Sequence, residues 1–163
     1  MEMPVFTIRG KNHRERGVDY GVQCKELIQG VLERYIRFFN GGHTAVSWDE
    51  AKVISKEFLP FIRSYSPELL DELEGIAQGA DVEFDDLLTL NSRSEAMTLV
   101  RRPPSDKEEL DGCSSVAVLP DASANGHTIL AQNGDTYTWQ EFCTVVLRML
   151  REYGPYLMIV TVA

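Results

Sequence analysis

Five consecutive residues carry the strongest chemical signal in this sequence: Asp111-Gly112-Cys113-Ser114-Ser115. A cysteine directly after a glycine, where an exposed loop meets a strand, suits one special chemistry. Cleavage of the Gly112–Cys113 bond would make Cys113 a new N-terminus. Its α-amino group, of a type that titrates near about 7.7–8.0, could then act as general base for its own thiol. Such a nucleophile needs no histidine, and the chain offers only His13, His43 and His127, with no His/Asp pair close in sequence. Gly112 has no Cβ, so it can adopt the strained geometry that opens its carbonyl to the thiol.

Hairpin arithmetic adds a second candidate. Residues 115–119 (Ser-Val-Ala-Val-Leu) and 128–132 (Thr-Ile-Leu-Ala-Gln) alternate as strands do, and Asn125-Gly126 between them is a hairpin signal. Opposed positions in an antiparallel pair have a constant sum. With a turn at 121–126, Cys113 falls roughly opposite Asn133 to Asp135. A carboxylate at Asp135 could hold and orient the ammonium of a freed Cys113. Each signal also has a plainer reading. A lone cysteine is more often a small buried hydrophobe, and Asn133-Gly134-Asp135 is on its own a turn. Tyr137 and Trp139, next along the chain, read as core aromatics or as the lining of an acyl pocket. Asn91, Arg93 and Glu95 read as a solvated helix end.

Positioning these residues requires a scaffold, and its periods are legible. Residues 5–9 form a short strand. Leu27, Ile28, Val31, Leu32, Tyr35, Ile36 and Phe39 then recur at helical steps in one long helix, ended by Asn40-Gly41-Gly42. Ser47-Trp48-Asp49-Glu50 is a capping box that opens a second helix, kinked at Pro60. Ser66-Pro67 starts a third, whose inner face holds Leu69, Leu70, Leu73, Ile76 and Ala77 and which Gly79 stops. A fourth runs from Glu83 to about Met97. Residues 101–109, charged and containing two prolines, read as a linker or exposed loop. After it the period changes to two, with further strands over 142–150 and 156–163. The expected class is α+β: N-terminal helices over 1–112, then antiparallel strands over 113–163, together one structural domain. The last residues, Tyr-Leu-Met-Ile-Val-Thr-Val-Ala, are an apolar run without a cap or polar tail, which reads as a cut.

Composition narrows the function classes. The 163 residues include 16 Lys and Arg against 25 Asp and Glu, for a net charge of −9. That excess argues against a nucleic-acid partner, which needs a basic surface to displace counterions. Residues 113–163 hold four acids and two bases, net −2, which leaves −7 on residues 1–112. No run of about 18 apolar residues is present to span a membrane, and the polar start does not resemble a signal peptide. An odd count of three cysteines without a secretion signal favours free thiols in a reducing compartment, and the lack of a signal peptide suggests an intracellular site, expected as cytoplasmic or peroxisomal. A Cys113/His127 hydrolase would need no cleavage, but the hairpin separates that pair in register. A metal site from Cys113, His127 and Cys143 lacks ligand spacing and a fourth ligand.

Taken in order along the chain, the motifs resemble one family. Leu69-Leu70-Asp71-Glu72-Leu73-Glu74-Gly75-Ile76-Ala77-Gln78-Gly79-Ala80 is similar to its helix and glycine stop. Leu90-Asn91-Ser92-Arg93-Ser94-Glu95 is similar to its "Leu-Asn-x-Arg-x-Glu" segment, Asp111-Gly112-Cys113-Ser114-Ser115 to its cleavage site, and Gln132-Asn133-Gly134-Asp135 to its "Gln-Asn-x-Asp" strand end. Ile8-Arg9-Gly10 and the stretch from Gly17 to Gly21 fit its opening. The chain thus resembles the acyl-coenzyme A:6-aminopenicillanic-acid acyltransferase (isopenicillin N acyltransferase-like) family of N-terminal-nucleophile hydrolases.

The resemblance implies a four-layer αββα fold and autocatalytic cleavage into small and large subunits of one precursor. It implies Cys113 as nucleophile, Gly112 as the last residue of the small subunit and Asp135 as the carboxylate near the free amine. Asn91, Arg93, Glu95, Ser114, Ser115, Asn133 and Tyr137 would be structural or line the pocket. The substrate would be a small-molecule amide or acyl-thioester, with no cofactor; acyl-coenzyme A would enter as a substrate. Ser114-Ser115 stand where Thr-Thr is common, and Gly134 stands where an aromatic is often found, which would widen the pocket. The family's oxyanion-hole asparagine and a later arginine are expected past Ala163. A non-catalytic member with a binding or structural role is the alternative reading.

Overall fold

The computed structural model describes residues 3–99, 113–134, 143–150 and 156–161. The expected linker, Gly112, Asp135, Tyr137 and Trp139 lie outside these residues. The class is α+β, with seven α-helices and five strands among the described residues. They divide into two compact units, one of Met1–Arg102 with Gln140–Ala163 and the other of Pro103–Trp139.

In the first unit, strand β1 (Val5–Ile8) leads into helix α1 (His13–Gln23). Asn12 caps α1 by accepting from the Glu15 N–H at 2.8 Å. Helix α1 ends at Cys24, from which the expected long helix, α2 (Lys25–Phe38), departs. Ile28, Val31, Leu32 and Tyr35 of α2 are buried, as the period requires. A π-turn over Phe39–His43 closes it, with Gly42 at a φ of 79°. The capping box forms on α3 (Trp48–Lys56), where Ser47 and Glu50 satisfy each other's backbone N–H. The two backbone and hydroxyl donors of Ser47 also hold the Glu50 carboxyl below its ordinary pKa.

Three helix readings are corrected by the structure. Pro60 does not kink a continuous helix; it sits in the first turn of a new one, α4 (Leu59–Tyr65), where its missing N–H costs nothing. The segment from Glu83 to Met97 breaks at Ser92 into α6 (Phe84–Asn91) and α7 (Arg93–Leu99). Ser92 Oγ lies 2.8 Å from both the Leu88 carbonyl and Ser55 Oγ, so its hydroxyl competes with the helical ladder. Gly79 does not stop α5 (Pro67–Ala80). That helix ends a residue later, with Asp81 in the left-handed region at a φ of 57° and the Val82 N–H returning 3.1 Å to the Ala77 carbonyl.

Gly79 instead belongs to a helix crossing. Gly17 and Gly21 on α1 face Gly75 and Gly79 on α5, and a Cβ on any of them would meet the other helix's backbone. On Gly75 it would lie 3.1 Å from Gly17 Cα, and on Gly21 it would lie 2.9 Å from Gly79 Cα. The carbonyls of Glu72, Ile76, Arg14 and Val18 fill the space that four side chains would need. Small residues four apart on both helices let the two backbones touch.

The sheet of this unit is mixed. Its order is β1-β4-β5, with β4 over Thr144–Met149 and β5 over Tyr156–Thr161. The four post-linker strands were expected to form one antiparallel sheet. β4 and β5 do pair antiparallel, but β1 returns to run parallel with β4, Val5 beside Val146 and Ile8 beside Met149. Val145, Leu147 and Met149 alternate inward from β4 and pack with Ile8, Tyr20, Cys24, Ile28, Ile76, Ala77, Ala80 and Leu87. Farther out, Trp48 stacks edge-on against Phe39 at 5.3 Å and donates its Nε1–H to Asp86 at 2.8 Å. Lys52 and Lys56 of α3 reach Asp86 and Asp85 of α6, each at 2.6 Å.

The second unit is the hairpin of β2 (Ser115–Val118) and β3 (Ile129–Gln132), antiparallel with Ser115 opposite Gln132 and Val118 opposite Ile129. A 3₁₀ turn over Pro120–Ala122 and Gly126 at a φ of 69° close it. Among the described residues no helix is long and apolar enough to cross a membrane.

The helix crossing sets a sharp contrast between glycines. Gly79→Ala should lower stability by about 1–3 kcal/mol, because its methyl meets the Val18 carbonyl. Gly30→Ala in α2, where a Cβ meets nothing within 4 Å, should raise it by about 0.5–1 kcal/mol. Urea unfolding midpoints measure both; equal tolerance at the two sites would contradict the crossing.

Candidate functional site

Three cysteines occupy three environments. Cys24 lies at the α1–α2 junction, 1% exposed, and burial pushes its thiol up to about 12. Cys143, just before β4, is also buried, and that burial raises its pKa against a partial opposing pull from Arg34. Cys113 is exposed and free. A thiol becomes a nucleophile only as its thiolate, and burial disfavours that form at Cys24 and Cys143.

Cys113 stands two residues before β2, at the open end of the hairpin. The pairing of Ser115 with Gln132, continued outward, sets 114 opposite 133 and 113 opposite 134. The first of these rungs is closed in an unusual way. The Asn133 N–H donates to the Ser114 carbonyl at 3.0 Å, and the Ser114 N–H donates to the Asn133 side-chain Oδ1 at 2.7 Å. Ser114 is thus held from both sides by one residue. Across from Cys113, a Cβ on Gly134 would meet no described atom within 4 Å. His127 belongs to the turn end of the same hairpin, at the far end of the ladder from Cys113.

Asn91, Arg93 and Glu95 take different roles. Asn91 ends α6 and donates its amide to the Leu87 carbonyl at 3.0 Å. With Glu95 it lines a groove of about 450 Å³, walled mainly by Phe58, Ile62, Leu73 and Leu88. Arg93 instead donates to the Leu90 carbonyl and lies 4.8 Å above the Tyr35 ring. Its charge complements the C-terminal end of α6, and the stacking ties α7 to α2.

The sequence reading passed over Glu72, which also lines that groove. Its Oε2 lies 3.0 Å from His13 Nδ1 and 3.8 Å from the buried Arg16 guanidinium, whose Nε has no hydrogen-bond partner among the described residues. The available signal was positional: Arg16 falls on the same α1 stripe as Gly17, Tyr20 and Gly21, where a charge is out of place. Among the described residues, no group of three or more His, Cys, Asp or Glu side chains is arranged to hold a metal ion.

No protein-family profile matches the chain. A beta-alanyl-dopamine/carcinine hydrolase of Drosophila melanogaster is 27% identical to it over 158 residues. The match covers 92% of this chain and 38% of that protein, so the chain spans well under half the length of this curated relative.

Proposed function

We propose that this protein is an amide hydrolase whose nucleophile is Cys113, freed as an N-terminal residue by cleavage at Gly112–Cys113. The observation that carries the reading is the placement of Cys113. It is the exposed thiol of the three cysteines, and it stands at the head of a strand whose next residue is anchored on both sides. The likeness to a hydrolase named for beta-alanyl-dopamine and carcinine supports amide hydrolysis. The motifs around Asn91, Cys113 and Asn133 support the cysteine type and a four-layer αββα fold. Because the chain spans 38% of that relative, the activity is proposed for the whole protein.

In maturation the Cys113 thiol adds to the Gly112 carbonyl. The C–N bond breaks as the C–S bond forms, and the departing nitrogen takes up the proton that the thiol gives up, giving a thioester and a free amine. Water then hydrolyses the thioester, leaving Gly112 as a carboxylate. In turnover the Cys113 amine takes the thiol proton, directly or through water. The thiolate attacks the substrate carbonyl, and the protonated leaving amine departs. Water releases the acyl group; an amine in its place would make the same intermediate an acyl transfer. Asp135 would orient the Cys113 ammonium. The groove along Asn91 and Glu95 is of a size that holds small molecules.

The assay is amine release from a β-alanyl amide by the full-length protein. Cys113→Ala should lose about 10³-fold or more of kcat; wild-type turnover in that variant would overturn the assignment. A second outcome follows from the thiols. Near pH 8 a small alkylating agent should modify native protein at Cys113 and spare Cys24, whose thiolate fraction is about 10⁻⁴ with a pKa of about 12. Peptide mass mapping reads the result, and modification of Cys24 before Cys113 would contradict it.

A further inference from the structure

The last rung of the β2–β3 hairpin is closed by a side chain. In an antiparallel hydrogen-bonded pair, two opposed residues exchange both main-chain bonds. At 114 and 133 one of these is present, from the Asn133 N–H to the Ser114 carbonyl at 3.0 Å. The return bond goes elsewhere: the Ser114 N–H meets Asn133 Oδ1 at 2.7 Å. The amide side chain therefore does the work that its own carbonyl would do in an ordinary ladder.

We propose that Asn133 is a positioning residue for Cys113, fixing the peptide that joins it to Ser114; this rests on the reading of Cys113 as the nucleophile. The Ser114 N–H belongs to the Cys113–Ser114 peptide plane. With that N–H held by Oδ1 and the Ser114 carbonyl held by the Asn133 N–H, the plane cannot turn without breaking a bond. The Cys113 Cα is part of the plane, so its bearing relative to β3 is set. Among the described residues, those from Cys113 to Ala117 and from Ile129 to Gly134 are exposed, so within this chain the two bonds to Asn133 are the contacts seen at the open end. Misplacing a reacting atom by about 1 Å can cost about 10²-fold in rate. The clamp has a second consequence: the Ser114 N–H is already spent on Oδ1, so an oxyanion formed at the thiol must draw its donors from other groups.

The experiment compares full-length wild type, Asn133→Ala, Asn133→Asp and Cys113→Ala in hydrolysis of a β-alanyl amide, with a melting temperature for each. Asn133→Ala should lower kcat about 10- to 100-fold, with KM within about twofold. Asn133→Asp, which keeps an acceptor oxygen at the same reach, should recover to within about threefold of wild type. Wild-type kcat in Asn133→Ala overturns the proposal. So does a loss in Asn133→Asp equal to that in Asn133→Ala, since the amide oxygen would then not be what matters. Where Asn133→Ala does not fold, the kcat of Asn133→Asp against wild type decides by the same threefold bound. Full activity in Cys113→Ala overturns the nucleophile assignment and this proposal with it, whereas full activity in Asn133→Ala alone leaves the hydrolase reading standing.

Discussion

The architecture of the first unit depends on one contact, the backbone-to-backbone crossing of α1 and α5 through Gly17, Gly21, Gly75 and Gly79. Two helices normally pack with their axes 8–10 Å apart, set by side chains between them. Here the carbonyls of one helix fill the places where Cβ atoms of the other would stand. The approach has reach in both directions. On one side α1 is tied to β1, through Arg9 N–H to Asp19 at 2.6 Å and Gln23 to the Thr7 carbonyl at 3.0 Å. On the other, α5 delivers Ile76, Ala77 and Ala80 to the same core as β4 and turns at Asp81 into α6. The groove that holds Asn91 and Glu95 is bounded by the same helix, through Leu69, Leu70, Glu72, Leu73 and Ile76.

A second constraint governs reactivity. Two thiols are kept protonated by burial, one in the core and one at the edge of β4, and the third is left in solvent. Desolvation disfavours the anion, so burial acts as a selection among chemically identical groups. Exposure alone does not make a catalyst, because an exposed strand end is also free to move. Asn133 resolves that conflict with a side-chain oxygen where the ladder runs out. On the proposed reading, reactivity and order in the hairpin come from different residues, one bearing the sulfur and one bearing the acceptor.

What was legible in the sequence were the features set by near neighbours. The Ser47–Glu50 capping box, the apolar stripe of α2 and the strands at β4 and β5 depend on residues a few positions apart. The hairpin register was also legible, since a turn and an alternation fix it. What escaped was set by distant partners. Gly79 carries the composition of a helix stop, and its role as a contact emerges only with Gly21 opposite it. The parallel return of β1 onto β4 joins the two ends of the unit, and no local pattern announces it. Pro60 shows a different failure: its ring forbids a continuous helix interior equally well by kinking one helix or by starting another. Of the candidate site, the place of Cys113 at a strand head was readable. The division of Asn91 and Glu95 from Arg93 was not, because it turns on a Tyr35 ring supplied by another helix.

The proposed mechanism requires Cys113 to become an N-terminus. Intact-mass measurement of purified full-length protein, with the N-terminal residue of each fragment identified, tests it most directly. Wild type should give two fragments, one beginning at Cys113, and Cys113→Ala a single uncut chain. Wild-type protein that stays whole under mild conditions, or Cys113→Ala that is cut at the same bond, would contradict it.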